Sequence, residues 1–203
     1  MSETAGVRCL IASASLLASA PLAAAATPMH ADVGVGRLDA TLVTQASDAR
    51  YGGLAQGRAG ASAVAITAGG GVGVQIRPAL ALLLSGMAVF APSWTPPGTP
   101  AQSLLFGVVG PELDFTPDPA IPFHVRAGMG LAFGRVGQEE PILSATHVGS
   151  DAWLAVARER RVGSLHLGLS FSIHGTWMRG GSGTVSSSVN AFTPVLALTL
   201  SNR

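Results

Sequence analysis

Between residues 163 and 176 apolar and polar side chains alternate strictly. Leu165, Leu167, Leu169, Phe171 and Ile173 fall on one parity; Ser164, His166, Gly168, Ser170, Ser172, His174 and Thr176 fall on the other. An extended strand sends successive side chains to opposite faces, so this segment has one aliphatic face and one small or polar face. Residues 122–135 repeat the pattern, with Phe123, Val125, Ala127, Met129, Leu131 and Phe133 against His124, Arg126, Gly128, Gly130 and Gly134. So do residues 60–76, where Val64, Ile66, Val72, Val74 and Ile76 oppose Thr67, Gly69, Gly71, Gly73 and Gln75, and residues 191–201, where Phe192, Leu196, Leu198 and Leu200 oppose Thr193, Thr199 and Ser201. In 79–91 Leu80, Leu82 and Leu84 share a face, while Leu83 and Val89 make the other face apolar as well. Further strands are expected near 33–44, 102–116 and 145–157.

The connections alternate in length. Short turns are expected at Arg77-Pro78, Pro117 to Ile121 and Arg158 to Val162, and longer loops at 45–59, 92–101, 137–144 and 178–189. Eight strands joined this way put every short turn at one end and every long loop at the other. The pattern predicts an all-β chain: a closed antiparallel up-and-down transmembrane β-barrel of about eight strands. Each strand is long enough for the 9–11 residues that a tilted spanning strand needs. Closure follows from the solvent, because hydrocarbon offers no partner for the unpaired N–H and C=O groups of a sheet edge. Aromatic residues at both ends fit a pair of interfacial girdles: Phe90, Trp94, Phe133, Trp177 and Phe192 at the long-loop end, Phe115 and Phe123 at the short-turn end.

Composition sharpens this. Charged residues are 11% of the 203, about half the usual share for a soluble domain, so much of the surface is expected to avoid water. Twenty-six glycines and thirteen prolines oppose a helical membrane bundle, and a net charge of +1 gives no reason to expect nucleic acid. Arg8, the Ala- and Leu-rich run from Leu10 to Ala26 and the Ala24-x-Ala26 site have the anatomy of a secretory signal peptide. Residues 1–26 are expected to be that peptide and 27–203 the barrel domain. Cys9, the only cysteine, falls in the peptide, so the mature barrel would hold no disulfide and no thiolate metal site.

Eight strands enclose an interior that side chains just fill. The inward parity is mostly Gly, Ala, Ser and Thr, which would leave at most a narrow wet lumen. A luminal polar cluster of Glu112, Asp114, His124 and Arg126 is expected near the short-turn end; a turn centred on Pro119 pairs Glu112 with Arg126 and Asp114 with His124. Enclosed charges are costly unless paired. Arg37 and Asp39 are expected to point inward too. The favoured reading is a plug that fixes strand register; the alternative is a gate or proton site. Arg158, Arg160 and Arg161 with Glu159 would form a basic turn, either solvated or in contact with anionic head groups.

No catalytic, cofactor-binding or metal motif stands out, and no cofactor is expected. His166 and His174 share a face but lie about 26 Å apart along a strand, too far for one metal. The run from Gly69 to Gly73 lacks the following helix of a nucleotide site. Ser172-Ile173-His174-Gly175 does not match the His-x-Ser-Asn of one class of lipid A deacylase.

The stretch Phe106 to Arg135, with Gly110-Pro111-Glu112, the Pro117-Asp118-Pro119 turn, Pro122-Phe123 and a return strand of alternating glycines, resembles a hairpin of the small, opacity-protein-like bacterial outer-membrane barrels. Gly69 to Ser85, with its Arg-Pro turn, is similar to the preceding hairpin of that group, and the likeness runs over about 60–200. It implies an eight-stranded barrel in the cell outer membrane of a Gram-negative envelope and no particular activity. Glu112 stands where the group often has a second Gly. The expected function is therefore non-enzymatic: structural, adhesive or narrow-channel (porin-like), a monomer held by outer-membrane lipid and inserted by barrel-assembly machinery. The alternatives are a lipid-modifying outer-membrane enzyme and a soluble secreted barrel around a small apolar ligand.

Overall fold

The structure, a computed structural model, describes residues 27–48, 53–97, 101–118, 121–137, 146–182 and 185–202. The proposed signal peptide with Cys9, Pro119 and most of the 137–144 loop lie outside the described residues. Eight strands are present among them: β1 (Met29–Asp48), β2 (Gly53–Arg77), β3 (Leu80–Trp94), β4 (Gln102–Phe115), β5 (Phe123–Gly137), β6 (Thr146–Val162), β7 (Leu165–Ser182) and β8 (Val185–Asn202). Each pairs antiparallel with the next, and β8 pairs with β1, closing the ring.

The register sets the barrel's dimensions. From Asp32, the pairing leads to Gly69, Met87, Val108, Ala132, Gly149, Met178 and Val189, and returns to β1 at Leu42, ten residues farther along. With eight strands, that stagger tilts them by about 40° and gives a backbone radius of about 8 Å.

Alternation then divides every strand. Leu167, Leu169, Phe171 and Ile173 are exposed on the outside, and Ser170, His174 and Thr176 are buried inside. Val33, Val64, Leu84, Leu113, Leu131, Leu154 and Leu198 continue the outer apolar face around all eight strands. Between Leu167 and Trp177 this belt is about 25 Å tall along the axis. That is the height of the lipid-facing band of a membrane barrel. Phe90, Phe133, Trp177 and Phe192 lie toward the upper edge of the belt, and Phe115 and Phe123 lie at its lower edge.

Several expectations need correction. Trp94 is fully buried in the lumen, because a bulge between Ala91 and Trp94 reverses the parity of β3. Arg37 and Asp39 do not point inward. Their phase is that of Val33 and Val35, so they face out, 68% and 37% exposed; Arg37 Nε donates to Asp39 Oδ1 at 2.9 Å, and Ser62 donates to the same carboxylate. They lie at the upper edge of the apolar belt, where an outward ion pair remains solvated.

The expected loops 45–59 and 178–189 are mostly strand: β1 runs to Asp48, β2 starts at Gly53, β7 runs to Ser182 and β8 starts at Val185. Polar composition there marks the end of the lipid belt and not the end of the ladder, since backbone pairing needs no apolar side chains. Arg158 to Val162 is likewise strand. The turn is Gly163-Ser164, with Gly163 at φ 67°, the first position of a two-residue hairpin turn that favours glycine. Arg158 and Arg160 face out, while Glu159 points inward and is buried.

Candidate functional site: the sealed lumen

The upper lumen is packed mainly with apolar side chains, with Gln102 and His147 buried among them. Leu38, Val89, Trp94, Phe106, Val136 and Val189 meet there, all at most 3% exposed. The Trp94 indole donates to the Ala61 carbonyl at 2.9 Å, which satisfies its one polar atom. The expectation of a lumen lined mainly by small residues therefore fails in this half. Val89, an aliphatic position on the second face of β3, was the one visible sign of it.

The lower lumen is polar. Glu112, Asp114, His124 and Arg126 are all buried and inward. Their pairing differs from the expected register by two residues: Asp114 is opposite Arg126, and Glu112 is opposite Gly128. Pro117 and Pro122 cannot donate to a ladder, so the β4–β5 pairing begins at Phe115 and Val125. His124 and Phe123 extend beyond it to pair only with β6.

Strands that are not neighbours supply the contacts. His30 of β1 touches Glu112 of β4 (Nε2···Oε1, 2.9 Å) and Asp32 (Nδ1···Oδ2, 2.8 Å). Arg126 of β5 reaches across to Asp32 with Nη1 at 2.9 Å and Nη2 at 3.3 Å. Trp153 of β6 donates its indole N–H to Glu112 Oε2 at 2.7 Å. Its ring fits because Gly128 faces it; a Cβ there would collide with the indole. Ser170 of β7 donates to Asp32 at 3.4 Å. These contacts are braces across the ring, and they fix which inner positions meet.

Two further groups flank this brace. Toward the short turns, His124 lies 3.5 Å from Asp114 and 3.7 Å from Glu159, and Ser201 donates to Glu159 at 2.6 Å. Toward the plug, Asp151 accepts from Thr176 Oγ1 at 2.5 Å and lies 3.1 Å from His174 Nδ1, whose Nε2 is 3.3 Å from Ser172 Oγ. The His174 ring stacks on Trp153, centroids 6.1 Å apart. Among the described residues, each of the five luminal carboxylates thus touches a histidine ring or Arg126. A cavity of about 50 Å³ lies among His30, Arg126, Ser85, Ser172 and His174, room for a few waters.

His30, Asp32, Asp151, Trp153, Glu159 and His174 complete the site but escape a reading centred on the β4–β5 hairpin. For β6 a signal existed: His147, Asp151, Trp153 and Glu159 share the parity opposite Val148, Leu154 and Val156.

No family model matches the chain, and no curated protein matches it significantly. Solved structures do. The outer membrane protein OprG from Pseudomonas aeruginosa is 9% identical, with a TM-score of 0.53 over 88% of this chain and 97% of its own. Neisserial surface protein A is 12% identical, with a TM-score of 0.46 over 87% and 96%. The outer membrane protease OmpT from Escherichia coli is 9% identical, with a TM-score of 0.47 over 86% and 96%. The first of these likenesses joins the closed ring, the 25 Å apolar belt and the aromatic edges: the chain has the fold of a small outer-membrane β-barrel, with eight antiparallel up-and-down strands.

Proposed function

We propose that this barrel is a non-conducting scaffold of the outer membrane, structural or adhesive, and acts through its outer rim. The observation that carries the reading is the packed plug: Trp94, Phe106, Leu38 and Val89 fill the upper lumen, and the buried Gln102 and His147 beside them fill space instead of lining an open path. The polar brace beneath supports the same reading, because its charges are spent on one another. Above the belt the β1–β2 hairpin continues to Asp48 and Gly53, so its backbone projects about 20 Å beyond the upper girdle. Purified protein in a planar lipid bilayer should show no conductance steps. Stable single-channel openings of the wild-type barrel would refute the scaffold reading.

A second reading rests on Asp151, His174 and Ser172, which stand in the acid–imidazole–hydroxyl order of nucleophilic hydrolases. The Ser172 hydroxyl borders the cavity. A fluorophosphonate probe that labels Ser172 in folded protein, and fails to label His174→Gln, would favour an enzyme. No labelling leaves the triad as part of the brace.

A further inference from the structure

The outer face of β5, β6 and β7 carries a repeated arrangement at its upper edge. On β5 Phe133 faces out, and two residues farther from the membrane centre stands Arg135 on the same face. On β7 Trp177 faces out, and two residues beyond it stands Arg179. The aromatic rings are about half exposed, 51% for Phe133 and 54% for Trp177, and both arginines are exposed. Among the described residues neither arginine has an ion-pair or hydrogen-bond partner. Arg37 differs, since its guanidinium is committed to Asp39 and Ser62.

Height decides what these two cations meet. Interfacial aromatics mark the boundary between hydrocarbon and head groups. Two residues along a strand tilted by about 40° rise about 5 Å, which puts both guanidinium groups within the head-group layer. Arg135 is paired with Thr146, and Arg179 with Val148, on the strand between them. Two strand spacings across and two residues along separate their Cα atoms by about 12 Å. No carboxylate from these three strands shares that outer face: Asp151 and Glu159 of β6 point into the lumen.

We infer that the upper outer face of β5–β7 binds the head group of a glycolipid bearing two phosphates, one within reach of each arginine, a diphosphorylated disaccharide lipid of the outer leaflet. Each arginine takes one phosphate in the two-pronged geometry that a guanidinium offers. Phe133 and Trp177 pack beside the first carbons of the acyl chains, and Val148 lies between them.

The test is native mass spectrometry of the folded protein released from detergent micelles with diphosphoryl lipid A, monophosphoryl lipid A or phosphatidylglycerol added. The wild type should retain one diphosphoryl lipid A in preference to the other two. Arg135→Gln with Arg179→Gln should lower that retention about 10- to 30-fold. Arg158→Gln with Arg160→Gln, at the opposite rim, should leave it unchanged. Heat-modifiable gel migration reports whether each variant is folded, and Arg135→Lys with Arg179→Lys, which keeps the charge, should retain an intermediate amount. Equal retention by wild type and the Gln pair, or retention of phosphatidylglycerol as strong as that of diphosphoryl lipid A, overturns the assignment.

Discussion

Replacing Arg126 with Met tests whether the luminal brace holds the barrel together. Arg126 is 3% exposed and donates twice to Asp32 across the lumen, at 2.9 and 3.3 Å. Met keeps the bulk and deletes the charge, so Asp32 and Glu112 are left to share His30. Breaking a buried ion pair costs about 3–5 kcal/mol, and the lower end applies because Asp32 remains 21% exposed. About 3 kcal/mol corresponds to roughly 150-fold in the unfolding equilibrium. Urea unfolding in lipid vesicles, followed by tryptophan fluorescence, measures it. Asp32→Asn combined with Arg126→Met should cost less than the two single changes added, by about 1–2 kcal/mol, since the partners are in direct contact. The exposed Arg160→Gln should change stability by less than about 0.5 kcal/mol. An Arg126→Met barrel that unfolds at the wild-type urea concentration, with strictly additive energies in the cycle, would refute the brace.

Three other changes probe other parts of the fold. Trp94→Ala removes the largest side chain of the plug; it should cost about 3–5 kcal/mol in urea unfolding and create conductance steps in planar bilayers where the wild type has none. Leu154→Arg puts a cation on the lipid face near mid-belt and should cost about 2–4 kcal/mol, whereas Val148→Arg, at the upper edge, should cost no more than about 1 kcal/mol in the same assay. Gly163→Ala forces a side chain into the left-handed turn at φ 67° and should cost about 1–2 kcal/mol, read as a lower unfolding midpoint.

Alternation made the strands legible, because lipid on one side and a closed interior on the other impose a period of two that little else in a chain imitates. Leu165 to Thr176 shows it plainly. The pattern weakened where the inner face was apolar as well. Leu38 and Phe106 give no local sign of whether they face lipid or plug the lumen, so apart from Val89 the apolar upper half stayed hidden. Trp94 was misread for a different reason: a bulge between Ala91 and Trp94 reverses parity, and Pro92 within it reads equally as the start of a loop. Of the polar site, Glu112, Asp114, His124 and Arg126 stood out because they sit close together on one hairpin. Their partners His30, Asp32 and Trp153 come from distant strands, and only the ten-residue stagger of the ring determines that they meet. The two-residue error in the β4–β5 register arose in a turn flanked by prolines, where ladder pairing starts later than symmetry about Pro119 implies.

Single cysteines at successive positions from Leu165 to Met178, in a Cys9→Ser background, measure facing on one strand directly. Each is labelled with an environment-sensitive fluorophore in lipid vesicles and exposed to a lipid-attached nitroxide quencher. Labels at 167, 169, 171 and 173 should be strongly quenched, and those at 166, 170 and 174 spared, giving a period of two. Uniform quenching along β7, or quenching that favours the even positions, would contradict a barrel that turns its aliphatic side to lipid.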